Sequence, residues 1–391
     1  MVPNPALGVF FHWLGGLASG SFYVPYRGVK RWSWETYWLV GGIFSWIIAP
    51  WLLAALLTKN LLAVLAQTPP KILFWSFFFG LLWGIGGLTF GLTMRYLGLS
   101  LGMAVALGLC AAFGTIMPPI FSGVFRTQVL ETRSGLVILA GILVCLLGIA
   151  MAGLGGFYKE RAMSPEQQKA AIKEFDLKKG LGVATLSGVM SACFAYGLAA
   201  GTPIKAITMQ HGTPALWQGL PVLVVVLVGG FTTNFIWCLA LNIQNKTGYQ
   251  YFTNASNKYP PAAHETIIET AFDAPSREVV EHLPHRINSR KENSVPVPML
   301  RNYLLCVLAG TTWYFQFFFY TMGETQMGKY GFSSWTLHMA SIIIFSTLWG
   351  IGLGEWKGAG TAALRLLTLS LFLLVGSTVI VGYGNYLALA R

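Results

Sequence analysis

Residues 72–94 read ILFWSFFFGLLWGIGGLTFGLTM, 23 positions without a Lys, Arg, Asp or Glu. As a helix this stretch rises about 35 Å at about 1.5 Å per residue, enough to cross a hydrocarbon layer of roughly 30 Å. Working outward, nine further charge-free gaps appear: 1–26, 36–58, 96–125, 134–158, 180–204, 206–245, 302–323, 330–354 and 366–390. The shortest of the ten holds 22 residues. One such gap could be a buried helix. Ten in series make an all-α polytopic membrane protein, with spans expected at 6–25, 36–57, 72–94, 99–121, 135–155, 180–200, 216–240, 301–322, 333–353 and 365–387.

The composition agrees. Charged residues are 10% of the chain and the mean hydropathy is +0.59, whereas a soluble domain carries about 25% charged residues. In a soluble protein a net charge of +12 would suggest nucleic acid. Here its distribution reads as topology instead. With the spans numbered 1 to 10, the odd connections hold 19 of the 26 Lys and Arg. Without the long 7–8 connection the split is still 12 to 7. Basic residues remain cytoplasmic, so both termini are expected outside. The first span has no basic flank before it and is followed by Arg27, Lys30 and Arg31. That is the reverse of a signal peptide, so it reads as a retained span.

Two cytoplasmic connections divide the chain. Residues 157–179 contain Ser164-Pro165-Glu166-Gln167, a helix-start pattern leading into a short amphipathic helix that ends near Phe175. Residues 242–299 form a polar, proline-rich insert, expected to be partly disordered with one helix around His264–Phe272. Its Asn245 and Asn254 sequons face the cytoplasm, which argues against glycosylation. The expected domains are a first five-helix repeat (1–156), the amphipathic connection (157–179), and a second five-helix repeat (180–391) carrying the insert. Five spans per half is an odd number, so homologous halves insert in opposite orientations. Residues 18–23 echo 191–196, and 90–94 echo 318–322, in support of two inverted five-helix repeats.

No hydrolase, phosphate-loop or metal-ligand spacing is present, so no enzyme and no metal or other cofactor is expected. Any pumping would draw on an ion gradient. The five cysteines all fall inside spans and read as small buried apolar residues. No carboxylate lies mid-span. Glu35 and Glu355 fall at inner span ends, Glu131 and Glu324 at outer ends. Glu324 is the strongest of these because it follows a polar-aromatic span. His12 and His338 lie within spans, in the outer third of the membrane, where an ionisable group is a functional candidate. Histidine titrates near neutral pH and can load and release a proton; a neutral, hydrogen-bonded core histidine is the alternative. Most Trp residues read as interfacial belts: Trp32, Trp34 and Trp38 inside, Trp51, Trp75 and Trp335 outside. Trp83 and Trp313 sit mid-span in the counterpart spans 3 and 8, and Trp313 is followed by Tyr314 and Gln316. A flat aromatic face beside an amide suits a sugar, whose C–H groups stack while its hydroxyls bond. Packing is the alternative role. Gln316, Asn234, Gln218 and Asn385 read as mid-span amides that need partners.

Several stretches carry a family likeness: Phe11-His12-Trp13 with Phe22-Tyr23-Val24-Pro25, Lys30 through Thr36, Trp83-Gly84-Ile85-Gly86 with Gly91 through Arg95, Trp313 through Tyr320, and Trp335 through His338 with Glu355-Trp356. On these the chain resembles the bacterial L-rhamnose–proton symporter family of the drug/metabolite transporter superfamily. The resemblance implies ten spans in two inverted halves and uptake of a 6-deoxyhexose with a proton. Two features depart from the family pattern: the long 7–8 connection, and span 6 after Ser191, which opens the choice of sugar. The expectation is an inner-membrane symporter using the proton gradient, with Trp83, Trp313, Tyr314 and Gln316 holding the sugar and His12, His338 and Glu324 coupling the proton. Its partners are then sugar, proton and lipid bilayer, not nucleic acid, and no pattern specifies an oligomeric state. A metabolite exporter or exchanger of the same superfamily, or a membrane-embedded sugar sensor, are the alternatives. The uncharged aromatic midplane favours a neutral sugar.

Overall fold

The computed structural model describes residues 2–162, 176–253 and 296–389. They are largely helical, and no strand occurs among them. Among the described residues, ten long helices fall in the ten gaps. These are α1 (Pro5–Ser21), α2 (Trp34–Leu57), α3 (Pro70–Leu97), α4 (Leu99–Phe121), α5 (Arg133–Arg161), α6 (Leu177–Ala200), α7 (Leu220–Asn245), α8 (Met299–Thr325), α9 (Ser334–Gly352) and α10 (Gly360–Leu389). Local chemistry sets several starts. Asn4, Thr132 and Asp176 cap α1, α5 and α6, each side chain accepting a backbone N–H three residues on. Pro5, Pro70 and Pro221 occupy first turns, where the missing N–H costs nothing. The two-helix corner at Gly98 takes φ +78, a backbone state that glycine adopts without strain.

Nine segments among the described residues, α2 to α10, are long and apolar enough to cross a membrane. With 17 residues, α1 rises only about 25 Å, and one further turn, Tyr23–Tyr26, follows it. Its partners establish its depth. Asn4 N donates to Gln326 at 3.1 Å, His12 lies beside Tyr320, and Phe22 lies against Trp313. Thus α1 runs antiparallel to α8 through the same layer. The molecule is an all-α polytopic membrane protein.

The packing pattern repeats. α1 packs against α8 and α9, α6 packs against α3 and α4, and α5 pairs with α10. α2 adjoins α7 and α8, while α7 adjoins α2 and α3. Two close approaches depend on glycine. A Cβ on Gly80 of α3 would strike the backbone of Val226 in α7, and one on Gly310 of α8 would strike the backbone of Gly41 in α2. Without a hydrophobic force between helices in lipid, such backbone contact is a main source of attraction.

The structure departs from the sequence reading in particular places. Two short helices, Leu61–Gln67 and Thr202–Gln210, lie in connections where none was expected. They are tied together by Lys59 N donating to Thr213 Oγ1 at 2.9 Å and by His211 Nε2 meeting Gln67 Oε1 at 3.0 Å. α7 begins at Leu220, so Gln218 ends a 3₁₀ turn outside the helix instead of lying mid-span. α7 also runs on to Asn245, into the stretch assigned to the insert. The amphipathic helix expected after Ser164 and the helix expected at His264–Phe272 lie outside the described residues. Trp32, Trp34 and Trp335 are not belt residues: each is buried, and Trp335 Nε1 donates to Cys110 O at 3.0 Å. Hydropathy alone places them by depth but cannot tell a lipid face from a helix–helix face. The five cysteines are buried and free.

Candidate functional site

One face of α8 organises the centre of the molecule. Trp313, Phe317, Tyr320 and Glu324 recur at helical spacing, i, i+4, i+7 and i+11. Trp313 meets Trp83 of α3 with ring centroids 5.8 Å apart and Trp46 of α2 at 5.4 Å. Phe317 lies 5.1 Å from Trp313 and 5.6 Å from His338. Tyr320 stands between the two histidines, with centroids 5.3 Å from His12 and 5.3 Å from His338, edge-on to both. The Trp83–Trp313 pair and the His12–His338 pair are therefore parts of one cluster, bridged by Phe317 and Tyr320.

Four of the seven sequence candidates meet there: Trp83, Trp313, His12 and His338. Both tryptophans are half-buried, and both histidines are fully buried. Neither nitrogen of His12 has a hydrogen-bond partner among the described residues, nor does Nδ1 of His338. Unpaired polar atoms in a low-dielectric interior are costly. Gln316 lies where α8 meets α1, its backbone carbonyl oxygen 2.8 Å from where a Cβ on Gly15 would stand. Its Nε2 is also buried without a partner among the described residues. Glu324, one turn above Tyr320, is held by Lys205, whose Nζ donates to both carboxylate oxygens at 2.8 and 2.7 Å. Tyr314 does not join the cluster. It sits about 100° around the helix from Trp313, fully buried against Phe315 and Phe318 of its own helix.

Sequence reasoning missed Phe317 and Tyr320, although their spacing from Trp313 was a legible signal. It also missed Trp46, for a different reason. Trp38 and Trp46 are eight residues apart, about 80° beyond two full turns of a regular helix. Residues Ile43–Ile48 form wider π turns, and these return Trp46 toward Trp38, with centroids 6.0 Å apart. π turns of this kind cluster at functional sites. Phe194 of α6 is a further missed member, stacked on Phe317 at 3.9 Å and beside Trp83 at 4.9 Å.

A second polar cluster closes the end of the molecule opposite Glu324. Glu35, at the start of α2, is 1% exposed. Its Oε1 accepts from Thr247 Oγ1 at 2.7 Å and Asn245 Nδ2 at 3.2 Å. Asn245 and Thr247 thus clasp Glu35, with Lys246 between them turning the chain at φ +56. Ser33 N donates to Gln250 Oε1 at 2.8 Å, and Tyr303 Oη donates to Tyr251 O at 2.6 Å. Burial pushes the Tyr251 phenol up to about 12, so it stays protonated and neutral.

The family model for the L-rhamnose-proton symport protein matches residues 1–253 and 285–387. The chain belongs to this family. A protein of Escherichia coli O1:K1 / APEC named L-rhamnose-proton symporter is 34% identical over 380 residues, covering 97% of both chains. Its counterpart in Shigella boydii serotype 18 is 33% identical over the same length. The L-rhamnose-proton symport family is one of transporters, not enzymes. Its match runs unbroken through α6, including the part after Ser191, and breaks only at residues 254–284. That break falls inside the long 7–8 connection.

Proposed function

We propose that this protein carries L-rhamnose into the cell together with a proton, across the bacterial inner membrane, by alternating access. Membership of the L-rhamnose-proton symport family and relatives that bear that name support the reading. The observation in this chain that carries it is the single cluster uniting the Trp83–Trp313 pair with His12 and His338. A symporter must make the binding of one ligand depend on the other, and groups that share packed neighbours are coupled through them. Trp83 and Trp313 offer ring faces for the sugar's C–H groups, and Gln316 offers an amide for a hydroxyl. The 5.8 Å spacing of the two rings is that of aromatics in contact. A sugar therefore stacks on a free face or parts the pair. His12 and His338 take the proton, and Tyr320 and Phe317 transmit its arrival to the tryptophans. The proton gradient is the energy source. Tyr314 is left out of the sugar site because of where its ring lies.

The same reading includes two inverted five-helix halves with both termini outside. The repeated packing supports it: α1 with α8 and α9 matches α6 with α3 and α4, while α5–α10 and α2–α7 are pairs across the pseudo-axis. Alternating access is then rocking of one group of helices against the other around the central cluster. The test is uptake of radiolabelled L-rhamnose into energised vesicles, with and without a protonophore. Concentrative uptake that collapses with the gradient is the expected result, and Trp313→Ala should reduce it. Uptake that ignores the protonophore would defeat the symport reading; full activity in Trp313→Ala would remove that residue from the site.

A further inference from the structure

The outer end of α8 is covered by the connection between α6 and α7. Lys205, on the helix Thr202–Gln210, grips Glu324 through both carboxylate oxygens, and the two side chains are only 13% and 23% exposed. Trp217 stacks on Phe318 at 5.5 Å. A Cβ on Gly219 would stand 2.9 Å from Thr321. Three successive turns of α8 are thus clasped by one connection. The clasp joins the two packing groups: Lys205 follows α6, which packs with α3 and α4, whereas Glu324 belongs to α8, which packs with α1 and α9. The inverted counterpart would lay the 1–2 connection on the inner end of α3. That connection bonds to Asn302 and Pro296 and pairs Arg27 with Glu355, just beyond α9, at 3.6 Å.

We infer that the Lys205–Glu324 ion pair is an outer lock, holding shut the route from outside to the central cluster until loading requires it to part. The inference rests on the transport reading and adds Lys205 as a positioning residue that acts through Glu324. Glu324 and Tyr320 are one turn apart on the same face, and Tyr320 touches both histidines. Opening the lock therefore frees the helix end directly above the proton site.

The test uses the full chain with a reporter cysteine, Thr321→Cys, which lies 1% exposed beneath the clasp. The five native cysteines are buried, and protein without the reporter supplies the blank. Spheroplasts are treated with a membrane-impermeant maleimide. Lys205→Glu, Glu324→Lys and Lys205→Met should each label about five-fold faster, the shift that loss of a partly buried ion pair gives a two-state equilibrium. The charge-swapped double variant, Lys205→Glu with Glu324→Lys, should return to the parental rate. Single variants labelling at the parental rate, or a double variant as fast as the singles, would overturn the lock. Thermal unfolding in detergent identifies any variant that labels because it is misfolded, and the swap then decides. L-Rhamnose counterflow by the parent tests the transport reading separately. Absence of counterflow with the labelling pattern intact would sink the sugar assignment and leave the lock standing.

Discussion

Gly323→Ala probes the placement of His12 without touching it. A Cβ on Gly323 would stand 2.8 Å from His12 Nε2, 2.9 Å from Cε1 and 3.0 Å from Gly8 O. Ordinary contact begins at 3.4 Å, so the imidazole must retreat by about 0.6 Å, or α1 must move off α8. Overpacking of this kind costs about 1–3 kcal/mol, while Ala gains up to about 1 kcal/mol over Gly within a helix. The net loss of stability is therefore about 0–2 kcal/mol, small enough to leave a folded protein. The functional cost is larger. Displacement of a reacting group by about 1 Å typically costs about 100-fold, so a shift just over half that size should cut proton-driven accumulation about tenfold. Gly87→Ala is the control. It lies in α3 with nothing within 4 Å of the added carbon and should be neutral or slightly stabilising. The assay is L-rhamnose accumulation under a fixed proton gradient, paired with thermal unfolding in detergent. If Gly323→Ala accumulates sugar like the parent, either the imidazole is not needed where it stands or proton coupling does not pass through it.

Tyr314→Phe should keep full uptake, and the loss of a buried hydroxyl without a partner among the described residues should leave stability unchanged or raise it by about 1 kcal/mol; reduced uptake would return Tyr314 to the sugar site. Glu35→Ala removes the acceptor of Asn245 and leaves Thr247 only Asn242 Oδ1, at 3.0 Å; it should destabilise the protein by about 1 kcal/mol, read as a lower unfolding temperature, with Glu35→Gln milder. Deleting residues 254–284, the stretch outside the family match, should leave proton-driven L-rhamnose uptake intact; loss of uptake in a protein that still reaches the membrane would give that stretch a transport role.

Lys205 and Glu35 show how position hides function. In the sequence, Lys205 is one basic residue in the 6–7 connection, and Glu35 one of several carboxylates at span ends. Nothing in their neighbours along the chain predicts an ion pair 119 residues long in sequence separation, or a carboxylate clasped by a sequon 210 and 212 residues away. Trp335 and Trp83 make the same point in reverse. Both are tryptophans in apolar helices, yet one is fully packed with its N–H on Cys110 O and its ring beside Tyr320 and His338, and the other is half-buried against Trp313.

The membrane architecture was legible in the order of residues because lipid imposes a one-dimensional rule: charge is excluded over a fixed thickness. Counting charges between gaps therefore located the spans and indicated an orientation. The α8 stripe was legible too, since Trp313, Phe317, Tyr320 and Glu324 lie on one helix face at a known period. Which faces of different helices meet is set by contact, not by period. The bringing together of His12, Tyr320 and His338, the exclusion of Tyr314, the return of Trp46 by a π turn, and the clasp of Lys205 on Glu324 all depend on distances between residues far apart in the chain. Only packing in three dimensions decides those.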